Sequence, residues 1–144
     1  MKLWEGDDLK MIEKTFSADD EVLRDVLGFV ESELEKADCP MKASMQIAIA
    51  VEEMFVNVAH YAYPEGNGDI LLGMDVSEDF VTIVLTDSGI PFDPLGAEDP
   101  DITLSAEERE VGGLGIFMVK KTMDDVGYRF ENGKNVFTIK KRIG

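Results

Sequence analysis

The sequence is poor in residues that form covalent or metal cross-links. Its 144 residues include one cysteine, Cys39, and one histidine, His60. One thiol cannot form an internal disulfide, and one thiol with one histidine cannot complete a Cys/His zinc site. The chain must therefore fold on its hydrophobic core. Its length is that of one ordinary domain, so we expect a single domain over residues 1–144.

Basic residues are also scarce, with 14 Lys and Arg against 30 Asp and Glu and a formal net charge of -16. This charge repels nucleic acids and anionic membranes, so we predict neither as a partner. A triphosphate site would need a metal ion and local backbone donors to offset the same repulsion. The sequence has no signal-peptide pattern at its start and no apolar run of roughly 20 residues, which predicts a cytoplasmic protein.

The hydrophobic pattern predicts an α+β fold. Ser17 is the candidate N-cap of the first helix, and Asn132-Gly133 predicts a hairpin turn between the last two strands. The element order favours a two-layer α/β sandwich, with a mixed, mostly antiparallel sheet and helices on one face. The predicted strands cover residues 9–16, 70–76, 80–86, 126–131 and 136–142, and the predicted helices cover residues 19–37, 41–62 and 112–124.

The second predicted helix is apolar nearly all round, which is typical of a helix covered on most sides. Its polar exceptions Gln46, Glu53, Asn57 and His60 fall within about 60° of one another at about 100° per residue. The helical methionines are interpreted as core-filling side chains, and they are Met41, Met45, Met54 and Met118.

Glu53 and Asn57 lie one helical turn apart, so they place a carboxylate beside an amide oxygen. Both are hard oxygen groups, and a carboxylate beside a metal-bound triphosphate could accept a proton from an attacking hydroxyl. The alternative is an ordinary polar edge on a solvated helix. The apolar surroundings bring the functional interpretation level with this alternative, because burying a carboxylate is costly, and both stay open.

Asp87 ends a predicted strand and is followed by Ser88-Gly89. An aspartate there can accept a hydrogen bond from an exocyclic amine, and Gly89 lets a flat ring approach the backbone, although a plain turn has the same composition. The glycines at 112–115 place backbone N–H groups at a helix start, an arrangement that holds phosphates, or they form a loop end or a close helix contact. Between Gly89 and the glycines at 112–115, residues 90–111 are predicted to form a long acidic loop, the acidic excursion, with a short helix at 105–110.

In chain order, these motifs resemble those of the GHKL ATPases, which share the Bergerat fold. AIAVEEMFVNVAHYAYP resembles the N box, DSGIPFDP the first glycine box and GGLGIFMVKK the second glycine box. Within that superfamily the chain is most similar to the stand-alone anti-sigma-factor serine/threonine kinases, over residues 9–141. Three motifs in this order are far more specific than any one of them.

The resemblance implies an ATP site in which Glu53 acts as general base and Asn57 binds Mg²⁺. Asp87 and Gly89 would recognise the adenine, and the acidic excursion would be the ATP lid. The phosphates would contact Gly113, Leu114 and Gly115.

The resemblance also implies partners: a small anti-anti-sigma-type protein as substrate, a sigma factor and a second copy of the chain in a homodimer. Two other functions stay open, a nucleotide-gated binding module without phosphoryl transfer and a histidine-kinase-like ATPase domain acting in trans. The sequence departs from the family at two places. Asn135-Val136 stands where many members have Gly-Thr, and Arg109 is displaced from the arginine that some relatives carry before the second glycine box. His60 receives no role.

Overall fold

The computed structural model describes residues 11–96 and 113–144. The expected α+β sandwich is confirmed, with one sheet and a layer of helices. The strands are β1 (Ile12–Ser17), β2 (Asp69–Val76), β3 (Phe80–Asp87), β4 (Asp125–Glu131) and β5 (Lys134–Arg142). The α-helices are α1 (Leu23–Lys36), α2 (Met41–Tyr61) and α3 (Gly113–Thr122).

The five described strands form one sheet in the order β1-β2-β3-β5-β4. Every pairing among them is antiparallel, whereas the sequence predicted a mixed, mostly antiparallel sheet. Asp87 at the end of β3 lies opposite Asn135 at the start of β5. The sheet thus brings together two polar residues that are 48 positions apart in the chain.

Alternation along the strands gives the sheet one apolar face toward the helices. Ile83 and Leu85 of β3 pair with Ile139 and Phe137 of β5, and all four side chains are buried in the core. The helices contribute buried stripes at a spacing of three or four residues, which is the period of a helix face. In α1 that stripe is Val26, Val30 and Leu34.

Ser17 is not a helix cap, and that prediction was wrong. It is the last residue of β1, and the helical segment begins with a short 3-10 helix at Asp20–Val22. Asp19 is its N-cap, because Oδ1 of Asp19 accepts a hydrogen bond of 2.9 Å from the backbone N–H of Glu21. Serine and aspartate cap about equally well, so the strand pairing of Ser17 decides between them.

The assignment of the helical methionines to the core was mostly wrong. Met54 is fully buried, but Met41 is 79% exposed and Met45 is 59% exposed, and Met118 is also exposed. Helix α2 lies between α1 and α3, so its sides are covered while part of its outer surface is open. Met41, Met45 and Ile49 recur every four residues along that open surface.

The Asn132-Gly133 hairpin between β4 and β5 is confirmed. Both residues have positive φ angles, 54° and 75°, as a two-residue type I′ turn requires. Residues 97–112, which include the predicted short helix, most of the predicted lid and Arg109, lie outside the described residues. None of the described helices has both the length and the hydrophobicity of a membrane-spanning segment.

Candidate nucleotide site

Glu53 and Asn57 lie on the side of α2 that faces α3. Nδ2 of Asn57 donates to Oε1 of Glu53 at 3.1 Å and to the Glu53 backbone carbonyl at 2.6 Å. Asn57 is buried and Glu53 is partly exposed. The amide therefore orients the carboxylate from the buried side.

The carboxylate of Glu53 contacts the backbone of Gly115 in α3. A Cβ built on Gly115 would overlap the carboxylate carbon and both oxygens of Glu53. Glycine at this position is thus needed for the carboxylate to approach the start of α3. The N box and the second glycine box, which are separated by about 60 residues in the sequence, meet here.

Helix α3 begins at Gly113, so Gly113 and Gly115 of the second glycine box lie in its first turn. The first four backbone N–H groups of a helix have no partner within the helix, and they carry its partial positive charge. The backbone of Gly113, Leu114 and Gly115 therefore presents donors beside the Glu53 carboxylate. This arrangement suits an anion.

Asp87 lies at the carboxyl end of β3 and is only 3% exposed. Its Oδ1 accepts hydrogen bonds from Nδ2 of Asn135 at 2.8 Å and from the backbone N–H of Gly89 at 2.9 Å. Burial raises the pKa of Asp87 above its ordinary value, and the hydrogen bonds from Asn135 and Gly89 lower it in part. The structure thus fixes one carboxylate oxygen and buries the group.

The loop after Asp87 packs against the end of α2. The backbone N–H of Ile90 donates to the carbonyl of Ala62 at 2.9 Å, and a Cβ on Gly89 would overlap that same carbonyl. Gly89 is therefore required by the close approach of the Ala62 backbone, a contact within the protein that the sequence did not predict. The first glycine box is anchored to the helix that carries Glu53 and Asn57.

Helix α2 sets the spacing between the two groups of residues. Glu53 meets α3, and Ala62, nine residues later, meets the Asp87 loop. At 1.5 Å per residue the two contacts are about 13.5 Å apart along the helix axis. Such a span suits an elongated ligand with an anionic group at the Glu53 end and a polar ring at the Asp87 end.

Two residues that shape the loop after Asp87 were not predicted. Asn135 bonds to Asp87, Ile90 and Phe92, and the hydroxyl of Tyr63 accepts from the Ser88 N–H and donates to the Asp69 carbonyl, both at 2.8 Å. The only sequence signal was the departure from Gly-Thr at residues 135 and 136. Apart from the Tyr63–Asp69 bond, these contacts join residues far apart in the chain, and no local pattern predicts them.

Comparison with known proteins identifies the family. The profile of the histidine kinase-like ATPase domain matches residues 16–141. The chain belongs to the histidine kinase-like ATPase domain family. Its resemblance to the GHKL ATPases is thereby confirmed.

Two relatives of this ATPase domain are serine-protein kinases named RsbW. The protein from Bacillus cereus strain AH187 is 29% identical over 96 residues, which cover 64% of this chain and 60% of that protein. The Listeria monocytogenes protein is 29% identical over 110 residues, covering 73% of this chain and 70% of its own length. The match to the Bacillus protein thus spans less than two thirds of that relative.

A solved structure supports the fold. The RsbU and RsbW domains of a Mycobacterium tuberculosis protein match 93% of this chain and 32% of that one, with a TM-score of 0.65 and 15% identity. At this identity the likeness concerns the fold only.

The residues of this ATPase domain fit Mg²⁺ bound together with a nucleotide. Among residues 11–96 and 113–144, no group of three or more His, Cys, Asp or Glu side chains could hold a metal ion. Mg²⁺ commonly keeps several waters and uses one or two protein oxygens together with substrate phosphates. Nδ2 of Asn57 is directed to Glu53, so Oδ1 is the atom of Asn57 available as a ligand.

Two other features lie away from these residues. Nε2 of His60 contacts Oδ2 of Asp20 at 2.7 Å on an exposed surface, so His60 does not join Glu53 and Asn57. A depression of about 390 Å³ lies on the opposite face of the sheet, lined in part by Leu71, Val84 and Val136. Neither includes a predicted site residue.

Proposed function

We propose that this chain binds ATP along α2 and transfers its γ-phosphoryl group to a serine or threonine of a small antagonist protein, acting as an anti-sigma-factor kinase in the cytoplasm. The observation that carries the proposal is the contact among Glu53, Asn57 and Gly115. It combines a proton acceptor, an oxygen ligand and a helix start at one point. These are the parts that phosphoryl transfer requires.

The adenine end of ATP is assigned to Asp87 and Gly89. With Oδ1 of Asp87 held by Asn135 and Gly89, the second oxygen would accept a hydrogen bond from the exocyclic amine of adenine. Recognition of an amine by a buried acceptor is selective, because a base with a carbonyl at that position would leave the acceptor unsatisfied.

The phosphates are assigned to the backbone N–H groups of Gly113, Leu114 and Gly115. These donors, with the partial positive charge of the α3 start, would offset the repulsion from a chain of net charge -16. Asn57 would hold Mg²⁺ through Oδ1, and the ion would neutralise charge on the phosphates when bound.

Glu53 is assigned the role of general base. In the proposed reaction its carboxylate accepts the proton of the substrate hydroxyl as that oxygen forms a bond to the γ-phosphorus. The bond from the γ-phosphorus to the bridging oxygen of ADP breaks, and ADP leaves. The hydrogen bond from Asn57 would keep the carboxylate turned toward α3 during this step.

Serine specificity is supported by the relatives named serine-protein kinase RsbW. The small antagonist protein, the sigma factor and a homodimer are proposed from the resemblance to anti-sigma-factor kinases. The competing function is a nucleotide-gated binding module, which would hold its partner without transferring phosphate.

Labelled ATP tests the proposal. The purified chain is incubated with Mg²⁺, ATP labelled on the γ-phosphate and the soluble protein fraction of its own cell. We expect an acid-stable label on a small protein, as for phosphoserine or phosphothreonine. Glu53→Gln should reduce the label by about 10²-fold or more while ATP binding is retained.

The other outcomes are equally informative. An acid-labile label would indicate a phosphohistidine and overturn the serine kinase. Nucleotide-dependent capture of a partner without any label would support the binding module. Full activity of Glu53→Gln would remove Glu53 from the role of base.

A further inference from the structure

Asn135 lies at the centre of the polar contacts around the first glycine box. It faces Asp87 across the β3–β5 pairing and is only 3% exposed. Its Nδ2 donates to Oδ1 of Asp87 and to the carbonyl of Ile90, both at 2.8 Å. Its Oδ1 accepts from the backbone N–H of Phe92 at 3.0 Å and from the hydroxyl of Tyr128.

These four contacts use the full hydrogen-bonding capacity of a primary amide, which has two N–H donors and two acceptor lone pairs. They also fix which end of the amide is which. A flipped amide would place its oxygen against the Asp87 carboxylate and the Ile90 carbonyl, and its N–H groups against the Phe92 N–H. Both arrangements would be repulsive, so the orientation is determined.

We infer that Asn135 is a positioning residue for base recognition: it orients Asp87 and the loop to Phe92, and it makes no contact with the base itself. The inference rests on the proposed ATP site. Because its amide is fully committed to the protein, Asn135 has no donor or acceptor left for a ligand. Its effect on a nucleotide must therefore pass through Asp87 and the loop.

The role requires an amide at this position. Asn135→Asp keeps the side-chain size and the two contacts of Oδ1, but it puts a second carboxylate beside Asp87 and loses both donated hydrogen bonds. Asn135→Ala loses all four contacts. Tyr128→Phe is the matched control, because it removes one contact to Oδ1 and leaves the bond from Nδ2 to Asp87 intact.

The test compares two diphosphates that differ at the group facing Asp87. ADP carries an exocyclic amine on its base, and inosine diphosphate carries a carbonyl there. Calorimetric titration with each nucleotide in Mg²⁺ gives the preference for ADP as a ratio of dissociation constants. A role in general folding would weaken both nucleotides alike, whereas a role in orienting Asp87 changes the ratio.

We expect the wild type to prefer ADP, Asn135→Ala and Asn135→Asp to lose about tenfold or more of that preference, and Tyr128→Phe to keep it. A folded Asn135→Ala protein with the wild-type ratio would overturn the inference. A wild type that binds ADP without preferring it would also overturn it, since no base recognition would exist to be oriented. A wild type that binds neither nucleotide would overturn the ATP site itself.

A measurement on the wild type keeps the inference testable if the variants do not fold. Both Nδ2 protons of Asn135 should exchange slowly with solvent in nuclear magnetic resonance spectra, with and without ADP, because both are bonded inside the protein. Exchange as fast as that of the exposed Asn132 amide would contradict it. A change of partner on ADP binding would do the same.

Discussion

The carboxylate of Glu53 occupies the space beside Gly115 that the Cβ of any other residue would fill. The Glu53 carboxylate can therefore lie against the backbone of α3, about 60 residues further along the chain, because residue 115 is glycine. The carboxylate is held there from behind by Nδ2 of Asn57. Activity in the proposed kinase should depend on this contact more strongly than stability does.

Gly115→Ala separates those two effects. Alanine in a helix is favoured over glycine by roughly 0.5–1 kcal/mol, and the flexible Glu53 side chain can rotate away from the new methyl group. We expect the free energy of unfolding in urea to change by less than about 1 kcal/mol, while phosphoryl transfer falls at least about tenfold because Glu53 is displaced.

Gly28→Ala is the matched control, since Gly28 is exposed in α1 and a Cβ there would meet nothing within 4 Å. Gly28→Ala should raise the free energy of unfolding by about 0.5–1 kcal/mol and leave phosphoryl transfer unchanged. Full transfer by Gly115→Ala would show that the Glu53 position is not needed.

The buried Asp87 should make stability depend on pH. Burial raises its folded pKa above 3.8, so between the two pKa values the folded chain binds more protons than the unfolded chain. Stability from this group is therefore present below the unfolded pKa and is lost as pH rises through the folded pKa. Urea titrations at steps from about pH 4 to 7 should show the wild type losing stability relative to Asp87→Asn.

Asp87→Asn is informative because Oδ1 of asparagine can accept the same two hydrogen bonds from Asn135 and Gly89. The difference between wild type and variant therefore isolates the charge of Asp87. If the wild type instead gained stability relative to Asp87→Asn with rising pH, the folded pKa of Asp87 would have to lie below 3.8.

The hydroxyl of Tyr63 connects the loop after β3 to the start of β2, through Ser88 and Asp69. Tyr63→Phe removes both hydrogen bonds and should lower the free energy of unfolding by about 1–2 kcal/mol. Tyr61→Phe is the control. The exposed Tyr61 stacks its ring on that of Phe92, with the ring centroids 5.2 Å apart, and the substitution removes the hydroxyl but keeps the ring. Equal losses from the two variants, measured by urea unfolding, would contradict a bridging role for the Tyr63 hydroxyl.

Substitutions of two methionines of α2 should differ sharply in their effect on the free energy of unfolding. Met54 is fully buried, so Met54→Ala should cost about 2–5 kcal/mol of unfolding free energy. Met45→Ala, on the open surface of the same helix, should change it by less than about 0.5 kcal/mol. Similar losses for both in thermal unfolding would contradict the burial of Met54 or the exposure of Met45.

The sequence predicted the elements well because most of them have strong local signals. The predicted α2 ends one residue from the observed Tyr61, and the Asn132-Gly133 turn is where the positive φ angles are. Periodicity could not tell which side of α2 faces solvent, because the residues are apolar all round and only the neighbouring helices decide. For that reason, the sequence wrongly placed the exposed Met41 and Met45 in the core.

The sequence predicted the motifs of the candidate site but not the residues that hold those motifs in place. Glu53 and Asn57 follow from helical spacing, and Asp87 from its place at the end of a strand. The bonds of Asn135 to Asp87 and of Tyr63 to Ser88 join residues 48 and 25 positions apart in the chain. Only the strand register and the packing of loops on α2 bring such residues together. A local sequence pattern predicts neither the register nor the packing.

Binding of ATP tests the central claim most directly. The purified wild type and Asp87→Asn are melted with and without Mg²⁺ and ATP at increasing concentration. At about 100 times its dissociation constant, ATP should raise the free energy of unfolding of the wild type by about 2.7 kcal/mol. For this chain length, that increase raises Tm by about 9 °C. The increase for Asp87→Asn should be much smaller. An unchanged melting temperature of the wild type at millimolar ATP, or the same rise in both proteins, would contradict the account.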